Sequence, residues 1–362
     1  VAGGCQGLSG SRSTSSLQDV GSRMSELPIP NFDQLLRMTD HRGTFEHACL
    51  DEPRPEHGYC TDDMARVLVV AAREAGASGE VNRLAGVAVR FLNDAQALGG
   101  ACRNRMDAAG KWLDEPSLDD AWGRCIWGLG TAVAHSDVVW VRKSALVQFE
   151  RAAQGRSKWP RAMAYAALGA VEVLTVHPDH RAARKLVTDY AVSIAKPNGD
   201  PDWPWPEPRL SYANAVLAEA IIGVGVALEA PKLWQQGLDL LAWLLDIETV
   251  NGHLSPTPVA GRGPGDPQPA FDQQPIEVAA LADACARAAA VDAAAQWNDE
   301  VRKAVAWFTG ANDSGQLMWD PATGGGYDGL QAAGVNLNQG AESTLAAIST
   351  MQHGRRISLL QR

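Results

Sequence analysis

Six short stretches of this 362-residue chain concentrate acids, amides and aromatic residues. The first is His57-Gly58-Tyr59-Cys60-Thr61-Asp62-Asp63-Met64-Ala65-Arg66, and the second is Glu115-Pro116-Ser117-Leu118-Asp119-Asp120-Ala121-Trp122-Gly123-Arg124. Trp159-Pro160-Arg161 and Trp203-Pro204-Trp205-Pro206-Glu207, running on to Tyr212-Ala213-Asn214, are the third and fourth. Gln274-Pro275-Ile276-Glu277 and Asn338-Gln339-Gly340-Ala341-Glu342 complete the set. These residue types suit a polysaccharide. Trp and Tyr faces stack on sugar rings, while carboxylates, amides and Arg bond the hydroxyls. Cleaving a glycosidic bond calls for two carboxyl groups, one to protonate the leaving oxygen and one to activate water or attack.

The acids have a second reading. Asp62, Asp63, Asp119 and Asp120 fall where helices begin, and carboxylates there cap free N–H groups and meet the positive end of the dipole. Ser117 followed by Asp120 also has the spacing of a capping box. Glu277 and Glu342 do not fit a simple cap. Glu277 precedes a run of Val and Ala, which puts it on a desolvated inner face where its pKa should rise, as a general acid requires. Glu207 stands in a Pro/Trp loop and is either functional or an ordinary exposed acid. Trp159, Trp203 and Trp205 flank prolines in loops and are expected to bind rather than pack. Trp234, Trp243, Trp297 and Trp307 sit on amphipathic helices and are expected to pack. His57, Tyr59, Arg66, Tyr212, Asn214, Gln274, Asn338 and Gln339 complete the expected sugar-binding set.

The elements that must position these residues are helices. Apolar residues recur at helical spacing from about residue 32 onward, as in Leu84, Val87, Ala88, Phe91 and Leu92. Each chemistry-bearing loop leads into a helix rich in Ala and Gly, and a charged, amphipathic helix follows it, as in Lys232-Leu233-Trp234-Gln235-Gln236. Such pairs cannot bury their faces alone and stack on their neighbours. Unequal repeat lengths favour a closed all-α (α/α)6 barrel, six inner helices within six outer ones, over an open solenoid. Residues 1–31 are expected to form a Ser/Gly-rich, disordered tail, and 32–362 a single catalytic domain. Short strands are expected at 101–112, as a hairpin, and at 315–319.

Composition narrows the class further. The net charge of −10 argues against nucleic-acid and anionic-membrane partners, and no apolar run reaches the ~18 residues of a span. Six scattered cysteines without a C-x-x-C pair suit buried thiols better than a zinc site or a disulfide framework. The first 23 residues lack the basic and apolar regions of a secretory signal, so the expected compartment is the cytoplasm. Neither Asp-Asp pair has the third acid of a D-D-x-x-D metal motif. There is no P-loop, no G-x-G-x-x-G after a strand and no H-E-x-x-H. No metal and no organic cofactor is expected.

The motifs from His57 to Arg66, Phe271 to Glu277 and Asn338 to Thr344 resemble a family of (α/α)6 glycosidase-like proteins found alone or fused behind bacterial glycosyltransferases. The Trp203-to-Asn214 segment is similar too, although the family often carries an acid where Ala213 stands. The resemblance covers roughly residues 32–352. It is greatest to standalone members that hydrolyse internal α-1,4 bonds of an intracellular, partly O-methylated mannan. It implies catalytic carboxylates at Asp62 and Glu277, with Asp63, Asp119, Asp120, Glu207 and Glu342 as further candidates. The alternatives are a phosphorylase, in which phosphate replaces water, and a noncatalytic glycan-binding module assisting a glycosyltransferase.

Overall fold

The computed structural model describes residues 27–194 and 199–360. Most of the expected tail, 1–26, therefore lies outside the described residues. The helices are α1 (Asp33–Arg37), α2 (Thr61–Arg73), α3 (Gly79–Ala95), α4 (Asp120–His135), α5 (Val139–Ala152) and α6 (Pro160–Val176). They continue with α7 (Arg181–Ser193), α8 (Ala215–Ala227), α9 (Pro231–Ile247), α10 (Pro275–Val291), α11 (Gln296–Phe308) and α12 (Ala341–Leu360). The even-numbered helices form a ring in which α2, α4, α6, α8, α10 and α12 each pack on the next and α12 returns to α2. The fold is an all-α (α/α)6 toroid.

Composition explains which helices lie inside. In the α4–α6 seam, a Cβ on Gly130 would stand 2.0 Å from the carbonyl oxygen of Gly169, so only glycine permits this backbone approach. Outer helices carry one apolar face. On α3, Val81, Leu84, Ala88 and Leu92 are buried while Glu80, Arg83, Arg90 and Asp94 are exposed. Pro at the first turn of α6, α9 and α10 costs no hydrogen bond, because the N–H it lacks would be unpaired there.

The ring differs from expectation at one outer position. Helices α3, α5, α7, α9 and α11 each pack outside the inner helix that precedes them, but α12 is followed by no outer helix among the described residues. The short α1 packs against α12 and α3 instead. Each short inner-to-outer turn reverses the chain, so the inner helices run in one direction. Their N-terminal loops therefore gather at one end. At the other end buried ion pairs line a cavity of about 960 Å³: Arg73 and His353 on Asp283, each at 2.6 Å, and Arg287 on Glu172 at 2.7 Å and Glu219 at 2.9 Å.

The strands are four two-stranded antiparallel pairs in loops: β1 (Ala48–Cys49) with β2 (Glu52–Pro53), β3 (Tyr59–Cys60) with β4 (Arg105–Met106), β5 (Thr249–Val250) with β6 (His253–Leu254), and β7 (Gly329–Gln331) with β8 (Gly334–Asn336). The hairpin expected at 101–112 is closed by only the Met106–Trp112 bridge, and its strand β4 pairs with β3 instead. That pairing brings Asn104 against the start of α2. The strand expected at 315–319 reduces to a single bridge from Trp319 to Gly326. Cys60, Cys102, Cys125 and Cys285 are buried thiols.

Candidate active site

Asp62 opens α2 at the loop-bearing end of the ring. Its Oδ1 accepts from Arg124 Nη1 at 2.9 Å and its Oδ2 from Asn104 Nδ2 at 3.1 Å. Burial works to raise its pKa, but the guanidinium groups of Arg124 and Arg66 outweigh it and hold the carboxyl below the usual range. Asp62 is therefore ionised at neutral pH.

Glu277 lies in the first turn of α10 and is 6% exposed. Its Oε1 accepts the backbone N–H of Ala213 at 2.6 Å, and its Oε2 faces that of Asn214 at 3.4 Å. Burial, reinforced by the charge of Glu248, pushes its pKa up to about 8, against the pull of these N–H groups and of Arg161. The two acids thus carry opposite protonation states at neutral pH. Glu248, at the C-terminal cap of α9, is itself buried and raised to about 7, with Thr257 donating to it from its N–H and its hydroxyl.

Three buried arginines floor the bowl. Arg66 spans Asp63 at 2.8 Å and the half-exposed Glu342 at 2.7 Å. Arg124 holds Asp62 and lies 3.7 Å from Asp120. Arg161 grips Glu207 through both terminal nitrogens, at 2.8 and 2.9 Å, and reaches Asn214 Oδ1 at 3.2 Å. Asp63 is pushed up to about 6 by burial, against Arg66 and with help from Glu342. Its Oδ2 also accepts from Cys60 Sγ at 3.1 Å. Cys60, Asp63 and Glu46 lie close enough together to hold a cation, but Arg66 already answers Asp63 and Arg105 answers Glu46.

Asp119 and Asp120 each hold an aromatic ring. Trp159 Nε1 donates to Asp119 Oδ1 at 2.7 Å, and the Tyr212 hydroxyl donates to Asp120 Oδ2. Trp159 is 48% exposed and Tyr212 45%, so both rings stand at the rim with surface to offer. Neither acid makes a side-chain capping bond: Asp119 occupies the N-cap of α4 without one.

No protein-family profile and no curated protein matches the sequence. Solved structures do match in shape. A sugar epimerase from a ruminal bacterium superposes with a TM-score of 0.68 at 13% identity, covering 90% of this chain and 95% of the other. A GH76 alpha-mannanase from Bacteroides thetaiotaomicron gives 0.58 at 12%, covering 84% and 88%. An inactive variant of an alpha-1,6-mannanase of Salegentibacter sp., in complex with alpha-1,6-mannotetrose, gives 0.58 at 12%, covering 91% and 96%. The shared fold is the (α/α)6 barrel. At these identities the likeness is one of architecture.

Several residues expected to bind sugar lie elsewhere. Trp205 is wholly buried and Trp203 is 6% exposed; both pack on Trp243, and their indole N–H groups turn to Glu207. The prolines around them shape a packed loop rather than present a ring to solvent. Tyr59 is buried between Phe45 and Phe91 with its hydroxyl on Asp40. His57 is exposed and meets His47 edge-on. Asn338 and Gln339 fasten the last loop, Asn338 to the N–H of Leu50 and Gln339 to Thr323. Asn214 is buried under Arg161, while Gln274 is half-buried at the N-cap of α10. Sequence reasoning placed Arg124 and Arg161 in the chemistry-bearing loops without giving them a role, and it missed Asn104 and Glu248. For Arg124 a signal existed, since Asp62/Arg66 and Asp120/Arg124 repeat the same acid-to-arginine spacing at the start of two inner helices.

Proposed function

We propose that the chain is a glycoside hydrolase that cuts internal α-mannosidic bonds, α-1,4 in type, of an intracellular and partly O-methylated mannan. The observation that carries the reading is the contrast between two carboxylates at the same end of the ring, Asp62 held by Arg124 and Asn104 and Glu277 buried against backbone N–H groups. Glu277 keeps a proton at neutral pH and donates it to the leaving oxygen. Asp62, held ionised, acts on the anomeric side as base or nucleophile. Because each buried arginine is matched to a carboxylate, the floor offers no unmatched cation for a uronate, and a neutral sugar suits it. The exposed rings of Trp159 and Tyr212 suit the apolar faces of sugars, which methylation enlarges.

A second assignment has one observation behind it. The inactive alpha-1,6-mannanase variant has two consecutive aspartates replaced by alanine, and this chain offers two consecutive pairs, Asp62–Asp63 and Asp119–Asp120. The ring contacts of Asp119 and Asp120 favour the first pair for the chemistry here.

The test is product analysis with α-1,4-manno-oligosaccharides and their O-methylated forms, with and without phosphate. Shorter products from the wild type, and none from Asp62→Asn or Glu277→Gln, would support the reading. Phosphate-dependent turnover would move it to a phosphorylase. Binding without any product would leave a glycan-binding module. Loss of turnover in Asp120→Asn with Asp62→Asn active would transfer the chemistry to the other pair.

A further inference from the structure

The wall between the two carboxylates is a continuous set of contacts. Arg124 joins Asp62 to Asp120, and Asp120 accepts the hydroxyl of Tyr212. The other end of Tyr212, its carbonyl oxygen, accepts Arg161 Nε, and the same guanidinium lies under the tyrosine ring at 4.8 Å. Arg161 also holds Asn214 Oδ1, which in turn accepts the N–H of Ser211 at 3.0 Å. Tyr212, Ala213 and Asn214 are thus pinned from both sides, and the two N–H groups that follow the tyrosine are those aimed at Glu277. Ala213 has φ of 45°, a left-handed backbone that a residue with a Cβ adopts only where its surroundings hold it. A strained peptide of this kind at the end of a fixed linkage is a device for aiming a group.

We propose that Asp120 and Tyr212 are positioning residues that fix the Ala213–Asn214 backbone against Glu277, so that seating a sugar on the Tyr212 ring and orienting the acid are one event. The proposal rests on the hydrolase reading for its kinetic arm. It reassigns Asp120 from candidate catalyst to anchor and makes Tyr212 more than a stacking surface. The charged and titratable groups that act most strongly on Glu277 include Glu248 at the end of α9 and Arg161 on α6, with Tyr165 of α6 also facing it, and none of these is changed by the variants below.

The experiment compares the wild type with Tyr212→Phe, Asp120→Ala, Asp120→Asn and the Tyr212→Phe/Asp120→Ala double variant, each checked for folding by thermal melting. With a manno-oligosaccharide substrate, Tyr212→Phe and Asp120→Ala are expected to lose kcat by about tenfold with KM held within about twofold. Asp120→Asn, which keeps an acceptor for the hydroxyl, should recover part of that loss. The double variant should be no worse than either single, because both break the same link. A rise in KM at unchanged kcat, or additive losses, would overturn the proposal and leave Tyr212 a simple sugar platform. A second arm needs no turnover. Carboxyl-labelled protein titrated by carbon NMR should show a Glu277 signal, assigned by its loss in Glu277→Gln, whose midpoint moves to higher pH in Tyr212→Phe as the two N–H groups that favour the carboxylate lose their aim. An unmoved midpoint would overturn the proposal even if the wild type cut no sugar, an outcome that would separately remove the hydrolase reading.

Discussion

The N–H of Ala213 meets Oε1 of Glu277 at 2.6 Å, and this one contact joins the loop before α8 to the first turn of α10. It places a backbone dipole, not a side-chain charge, against the buried acid. An N–H stabilises the ionised form only modestly, so burial still dominates and the proton stays on up to about pH 8. Asp62 has the reverse balance, because two guanidinium groups outweigh its burial. The two environments push the pKa values of the same functional group in opposite directions, as the proposed acid and base require.

That separation sets the pH profile. The proposed reaction requires Glu277 protonated and Asp62 ionised. On the alkaline side, kcat/KM should therefore fall as pH rises through about 8. On the acid side it should fall only below the ordinary aspartate range, because Asp62 is lowered. Glu277→Gln and Asp62→Asn should each lower turnover by at least about 10²-fold with the fold intact. Initial rates against pH on a manno-oligosaccharide check the limbs, and a midpoint near 5 on the alkaline side would contradict the assignment of Glu277 as the acid.

The same raised pKa has a stability consequence of definite sign. Below about pH 4.5 Glu277 is protonated in both folded and unfolded chains and adds no pH dependence. Between 4.5 and about 8 the unfolded chain releases the proton and the folded one keeps it, so stability falls as pH rises. Gln cannot ionise. The Glu277→Gln protein should therefore gain stability relative to the wild type across this window, by on the order of a few kcal/mol and visible as a rise in Tm, with no further change above it. Melting curves at pH 4, 6 and 8 measure this, and a constant difference at all three would contradict a buried, protonated Glu277.

Arg124 should control Asp62. Arg124→Met removes the 2.9 Å partner and leaves a carboxylate buried, which costs stability of about 3–5 kcal/mol and raises the pKa of Asp62. The acid limb of the rate profile should then move upward, while Arg124→Lys, which keeps the charge, should move it less. Equal limbs in both variants would mean that Arg124 does not hold the charge on Asp62.

The ring of helices was legible because alternation of Ala/Gly-rich and amphipathic segments repeats along the chain, and the six loop positions followed from it. Asp62 and Glu277 became candidates through the family resemblance, and the buried place of Glu277 was legible in the apolar run behind it. Local periodicity did not report that the short N-terminal α1 packs beside α12 and α3, a long-range contact that joins the two ends of the described chain. Asn104 and Glu248 carry no local signal, since each reaches its place by a long-range strand pairing or a loop contact. The Trp203–Trp205 loop misled for a definite reason. Prolines mark a loop, but they do not say whether the loop's rings face solvent or fold back on Trp243.

Trp159 and Trp205 therefore make a contrasting pair. Trp159 is half-exposed at the rim, with Lys158 at 4.7 Å from its ring and Asp119 holding its N–H. Trp159→Ala should raise KM by about tenfold, one step of about 1.4 kcal/mol in binding, with little change in Tm. Trp205 is fully buried beside Trp203 and Trp243. Trp205→Ala should cost about 3–5 kcal/mol of stability by opening a cavity, and it should free Glu207 from one of its donors. Asp119→Ala should resemble Trp159→Ala in kinetics, since the acid acts through the ring it holds. Parallel measurements of KM and Tm on the three variants decide the matter. A Trp205→Ala protein with normal Tm but raised KM would return that residue to the sugar-binding set.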